Sequence, residues 1–180
     1  MTIVSGHANV QQGQWVLIHA AAGGVGHLAV QIAKARGTYV IGTARASKHD
    51  FLRSLGADQI IDYTEVDFAD ELSDLDAVID TIGGDYGTRC LRTLRDGGTV
   101  VSLTPTLDDQ AHQRTAERGI RTGFTLVEAD HAGLEAIADL VDAGRLRAKI
   151  AAALPLADAA TAHQLGETGR TTGKMLLTVL

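Results

Sequence analysis

The sequence predicts an α/β fold. It is a doubly wound parallel sheet of six strands in the order 3-2-1-4-5-6, followed by a strand–helix–strand tail. Three observations predict it. Short apolar runs alternate along the chain with segments whose apolar residues recur at helical spacing. The first such run, Trp15-Val16-Leu17-Ile18-His19, passes directly into Ala20-Ala21-Ala22-Gly23-Gly24-Val25-Gly26, a strand-to-helix bend almost bare of side chains. Stretches such as Asp76-Ala77-Val78-Ile79-Asp80 are apolar at consecutive positions, the mark of parallel strands covered on both faces.

Strands are expected near 15–20, 38–43, 58–61, 76–80, 98–103 and 123–128. Helices fit between them: 27–36, 48–55 closed by Gly56, and 85–94 with Tyr86, Cys90, Leu91 and Leu94 on one stripe. Residues 104–122 are polar and read as a loop plus an exposed helix. A helix over 131–143 offers Leu134, Ile137, Ala138 and Val141 at helical spacing and closes at Gly144. The tail carries a strand at 149–154, a helix from near Asp158, and an apolar last strand over 174–180 with no evident partner in the chain. Right-handed crossovers then put a ligand crevice at the switch point between strands one and four.

A chain of 180 residues is one domain, or one domain with a small appendage. Aromatics are 4%, so the core is built from Val, Ile, Leu and Ala. A net charge of −6 argues against a nucleic-acid partner or a polybasic membrane surface. No apolar run approaches the roughly 20 residues of a membrane span, and the first residues lack a signal-peptide apolar core, so a cytoplasmic protein is expected. The lone Cys90 excludes an internal disulfide and a cysteine zinc cluster, and its helical stripe makes it a packed thiol. The seven histidines show no metal-ligand spacing; His19, at the end of the first strand, is expected to be held by a local hydrogen bond.

The bend carries the chemistry. Its spacing fits the fingerprint G-x-G-x-x-G, with Ala21 in the first glycine slot, then Gly23 and Gly26. Such a bend brings backbone N–H groups and the positive end of a helix against a phosphate. Gly23 leaves room for a pyrophosphate, and Gly26 lets the helix pack close to the strand. About twenty residues on, an NAD-binding protein places an Asp or Glu on the ribose hydroxyls. This chain has Thr43-Ala44-Arg45-Ala46-Ser47-Lys48 there, with no carboxylate until Asp50. Two cations and two hydroxyls suit a ribose 2′-phosphate, so NADP(H) is expected. The alternative is that Arg45 and Lys48 are only the solvated start of the next helix.

Other nucleotide-binding classes fit worse. A short-chain reductase would carry Tyr-x-x-x-Lys, but Tyr39, Tyr63 and Tyr86 are followed four residues later by Thr43, Asp67 and Cys90. A methyltransferase of similar fold would want an acid after strand two, and a P-loop needs Gly-Lys-Ser/Thr where Gly26 precedes His27-Leu28.

These residues resemble a family. The runs from Val16 to Gly26, Ala29-Val30-Gln31-Ile32-Ala33-Lys34, Leu55-Gly56-Ala57-Asp58, Ile61-Asp62-Tyr63, Asp80-Thr81-Ile82-Gly83-Gly84 and Gly97-Gly98-Thr99-Val100-Val101-Ser102 are similar to the Rossmann domain of the medium-chain dehydrogenase/reductases. Pro155-Leu156-Ala157-Asp158 and Gly173-Lys174-Met175 resemble that family's closing helix and strand. The resemblance is specifically to the NADPH-dependent, quinone-oxidoreductase-like branch, akin to zinc-type alcohol dehydrogenases.

The resemblance implies roles. Ala22, Gly23, Gly24, Val25 and Gly26 would meet the pyrophosphate, while Thr43, Arg45, Ser47, Lys48 and Tyr63 would surround the 2′-phosphate. Thr81, Gly83, Leu103 and Thr104 would face the nicotinamide side of the crevice. For Tyr63 a packed strand-end aromatic, for Thr81 a strand terminator, and for Lys174 a surface position remain equally open or preferred readings. The implied reaction is hydride transfer from NADPH to a quinone, enone or carbonyl, with no catalytic residue and no zinc ligand in this chain. Full-length relatives carry a GroES-like barrel domain upstream. Residues 1–13 then read as the remnant of a linking helix, 14–144 as the NADP-binding domain, and 145–180 as a tail that packs on the catalytic domain. A homodimer through strand 122–127 is expected, and the alternative function is a non-catalytic NADPH-binding module that senses cofactor or binds a partner.

Overall fold

The computed structural model describes residues 4, 8–104, 109–124 and 130–179. Six parallel strands form one sheet: β1 (Trp15–Ile18), β2 (Tyr39–Thr43), β3 (Gln59–Ile61), β4 (Leu75–Asp80), β5 (Leu94–Ser102) and β6 (Arg121–Phe124). Their order is β3-β2-β1-β4-β5-β6, as the sequence predicts. Helices α1 (Gly26–Ala35), α2 (His49–Ser54), α3 (Phe68–Glu71), α4 (Tyr86–Thr93), α5 (Asp109–Glu117) and α6 (His131–Asp142) surround it.

The consecutive apolar residues of the strands divide between two cores, one on each face. Val16 and Ile18 of β1, Val40 of β2, Ile79 of β4 and Val101 of β5 face α1 and its neighbours. Leu17, Ile41, Val78 and Val100 point the other way, against Phe68 and the α4 residues Cys90 and Leu91. Each fully buried aliphatic side chain contributes about 1.5–3 kcal/mol, and together they fix the register of the parallel ladder. Gly56 and Gly144 close α2 and α6 with φ of +93° and +67°, a backbone that L side chains resist.

One contact compensates for the missing first glycine of the fingerprint. A Cβ built on Gly42 of β2 would come 2.9 Å from the Cβ of Ala21, so the glycine stands on the neighbouring strand instead.

Several sequence expectations need correction. β5 begins at Leu94, four residues earlier than expected, and α4 correspondingly ends at Thr93. β6 starts at Arg121, ahead of the expected 123; residues 125–129 lie outside the described residues. In α6 the expected stripe is only partly buried: Ile137 and Leu140 pack on the core, while Leu134 and Val141 are 63% and 51% exposed. The face turned inward also buries Gly133.

The last strand does have a partner. β7 (Ile150–Pro155), α7 (Ala159–Glu167) and β8 (Lys174–Thr178) form a β–α–β unit whose strands pair in parallel, Ala153 opposite Leu176. This small sheet is separate from the main one, and Leu176, Leu177 and Val179 are exposed. Its near end is tied to α1, because Gln31 accepts the Arg147 N–H and donates to the Arg147 carbonyl, both at 2.9 Å.

Candidate nucleotide-binding site

The bend between β1 and α1 owes its shape to the lack of side chains. Ala20 sits at φ +45°, and the Gly23 N–H closes a turn onto its carbonyl at 2.8 Å. At Gly26 a Cβ would lie 2.3 Å from the Ala20 oxygen, so helix and strand approach as only glycine allows. α1 then starts with no side-chain cap at Val25 and no acid in its own first turn, so the helix itself does not neutralise its positive end.

Beside the bend lies a cleft of about 380 Å³. It brings together Ala22 and Gly23 of the bend with Thr43, Arg45, Ser47, Lys48 and Tyr63, seven of the residues singled out in the sequence. Its far wall is Gly169, Arg170 and Thr171, from the loop between α7 and β8. Sequence reading missed Arg170. The signal was there, a cation and two hydroxyls in Gly169-Arg170-Thr171-Thr172-Gly173, but nothing in the chain order ties it to residue 45.

The cations are held in place. Arg45 Nε donates to the Tyr63 hydroxyl at 3.1 Å, with its guanidinium carbon 5.7 Å from the ring centre. Lys48 Nζ donates to the Thr172 hydroxyl, which joins the loop after β2 to the loop before β8. The Asp62 carboxylate, just past β3, accepts the Ala46 N–H at 2.6 Å and the Thr64 hydroxyl at 2.7 Å. The Thr64 hydrogen bonds hold that carboxyl below its ordinary pKa, so it stays an anion bound to its own loop.

Thr43 is used internally. Its buried hydroxyl accepts the Ala20 N–H at 3.2 Å and sits 3.1 Å from His19 Nδ1. The other His19 nitrogen is 3.3 Å from Cys90 Sγ. Burial lowers the His19 pKa to about 4, against an opposing pull from Asp80, and burial pushes the Cys90 thiol up. Imidazole and thiol are therefore both neutral near pH 7. The expected local hydrogen bond of His19 and the packed thiol are both present.

Thr81, Gly83, Leu103 and Thr104 stand at the C-terminal ends of β4 and β5, outside the lining of the 380 Å³ cleft. The buried Asp80 carboxylate shapes this end by accepting the Ile82 and Gly83 N–H groups at 2.9 and 3.0 Å. The Thr81 hydroxyl donates to the His19 carbonyl at 2.9 Å, and Leu103 N–H to the Asp80 carbonyl at 3.0 Å. Gly24, Val25 and Gly26 belong to the adjoining bend. Lys174 lies against it, with Nζ 3.5 Å from where a Gly24 Cβ would be. Among the described residues no cluster of His, Cys, Asp or Glu could hold a metal ion, and no helix is long and apolar enough to cross a membrane.

Comparison with known proteins agrees with this architecture. The quinone oxidoreductase of Coxiella burnetii is 40% identical and superposes with a TM-score of 0.91, over 98% of this chain and 56% of that one. The mitochondrial NAD(P)H oxidoreductase RTN4IP1 of Mus musculus is 32% identical over 94% of this chain and 49% of its own length. A 2-haloacrylate reductase of Burkholderia sp. is also 32% identical, over 93% and 56%. The chain thus spans about half the length of the curated relatives it matches. Residues 55–177 match the family model described as zinc-binding dehydrogenase. With the sheet order and the glycine bend already in view, the chain belongs to the zinc-binding dehydrogenase family, within the medium-chain dehydrogenase/reductase superfamily.

Proposed function

We propose that this chain is the NADPH-holding part of an oxidoreductase acting on a quinone, enone or carbonyl substrate. The observation that carries the reading is the cleft where Arg45, Lys48 and Arg170 converge beside Ser47 and the glycine bend. Three cations and a hydroxyl suit a dianionic 2′-phosphate; a carboxylate would repel it. The glycine bend fits a pyrophosphate, because Gly26 lets α1 pack close against the end of β1, where a Cβ would meet the Ala20 oxygen, and so sets the helix N-terminus beside the bend. When bound, the nicotinamide supplies the hydride; this chain's residues bind and orient it. The ends of β4 and β5, with Thr81, Gly83, Leu103 and Thr104, form the nicotinamide side.

The substrate half of the cleft belongs, on this reading, to a further domain of the GroES-like kind. The exposed Leu176, Leu177 and Val179 of the β7–β8 sheet support a tail that packs on such a domain. The edge position of β6 supports pairing with a second copy across a two-fold axis.

Calorimetric titration with NADPH and with NADH tests the cofactor reading. NADPH should bind at least tenfold more tightly, the value of one or two charge-assisted hydrogen bonds. Equal affinities would remove the 2′-phosphate argument, and no binding of either at millimolar concentration would remove the nucleotide site.

A further inference from the structure

His27, the second residue of α1, is fully buried, and both of its ring nitrogens are committed. The Lys149 N–H donates to Nε2 at 3.2 Å, which makes Nε2 an acceptor. Nδ1 therefore carries the proton of the neutral ring and donates to the Gly23 carbonyl at 2.7 Å. One imidazole thus spans from the glycine bend to the chain just ahead of β7, 122 residues away in sequence.

Lys149 leads directly to the wall of the cleft. Its carbonyl accepts the Lys174 N–H at 2.8 Å, and the neighbouring Gly173 N–H donates to the Ala22 carbonyl at 2.9 Å. Gly173 has φ +79°, and a Cβ there would lie 2.1 Å from the Lys149 oxygen, so the two segments pack backbone against backbone. From Gly173 the chain runs back through Thr172, bonded to Lys48, to Arg170 in the cleft.

We propose that His27 is a positioning residue that fastens the 169–174 loop over the cleft, and that protonating its ring releases the loop and weakens cofactor binding. This rests on the reading of the cleft as an NADPH site. A second proton on Nε2 would set two donors head to head, with the Lys149 N–H losing its acceptor. The groups around the ring oppose that proton. Lys174 on β8 is the charged group that bears on it; α2 presents Phe51, with ring centroids 6.4 Å apart. On its own helix the neighbour is Gln31, an uncharged amide that donates to the His27 carbonyl. Burial and Lys174 lower the ring's pKa from its ordinary 6.5, against the Gly23 hydrogen bond, so release begins only below that value. The Gln31–Arg147 bonds carry no titrating group and keep the tail attached while the loop opens.

The experiment follows the full chain, wild type and His27→Gln, from pH 8 to pH 5. Two quantities are read: the dissociation constant of NADPH, and hydrogen-exchange protection of the 170–175 amides without cofactor, each relative to intrinsic exchange. Protonation of the 2′-phosphate weakens both proteins alike. Wild type should lose up to about a further tenfold in affinity and in protection below pH 6.5, the value of one ordinary hydrogen bond, while the variant shows only the phosphate effect in affinity and stays level in protection. Identical pH profiles in the two proteins overturn the proposal. Lys174→Gln provides a check that keeps the ring: its midpoint should move up, and an unmoved midpoint overturns the proposal even if His27→Gln does not fold. Loop protection that follows the expected pattern without any NADPH binding would uphold the fastening and reject the cofactor reading.

Discussion

Nε2 of His19 lies 3.3 Å from Sγ of Cys90 in the interior, although the two residues are 71 positions apart. Neither is exposed to solvent, and the Phe68 and Tyr86 rings meet the imidazole edge-on, with centroids at 4.4 and 5.0 Å. The pair joins the end of β1 to α4 and contributes to the fold as a neutral contact.

That neutrality makes stability pH-dependent. With a folded pKa of about 4 against an ordinary 6.5, the unfolded chain takes up the proton first as pH falls. Stability is flat in this respect above pH 6.5 and declines between 6.5 and 4, by on the order of 3 kcal/mol. Urea unfolding across that range should show the decline in wild type, and His19→Gln should flatten much of it. A variant curve as steep as wild type would contradict the assignment.

Cys90 should be inert in the native protein. Burial pushes its thiol up and closes access, so a thiol-reactive dye at pH 8 should label it only as fast as the chain opens. Full labelling of folded protein within minutes would count against the packing described.

Gly26→Ala tests the close approach of α1 and β1. Its Cβ would meet the Ala20 oxygen at 2.3 Å and Ala21 Cα at 2.7 Å, both backbone atoms that cannot step aside cheaply. A loss of about 3 kcal/mol is expected, a drop of roughly 6–12 °C in Tm without cofactor. An unchanged melting curve would show that the bend relaxes.

Arg170→Ala tests the loop wall. If the proposed reading holds and Arg170 serves only the extra phosphate, NADPH affinity should fall about tenfold while NADH affinity changes less than twofold. Equal losses for both cofactors would assign Arg170 to loop structure instead.

How much of this was legible depends on the range of the interaction. The β1 bend could be read because glycine spacing is local, and the strand order followed because alternating strand and helix leave few right-handed topologies. The partner of β8 could not, since β7 and β8 are both plain apolar runs and pairing leaves no periodic signature. In α6 two overlapping apolar stripes were available, and only tertiary contact chose Ile137 and Leu140 over Leu134 and Val141. Within the cleft, Arg45, Ser47, Lys48 and Tyr63 follow strand ends and were foreseeable. Arg170 arrives by the return of a distant loop, and the His19–Cys90 pair joins two single residues with no motif between them.

The methyl of Ala21 and the bare backbone of Gly42 share a space that admits one Cβ and not two. Their identities are therefore expected to be genetically linked. Gly42→Ala alone should cripple folding, and a selection for second-site suppressors should recover Ala21→Gly. That double exchange would restore a glycine in the first fingerprint slot and move the small residue from one strand to its neighbour.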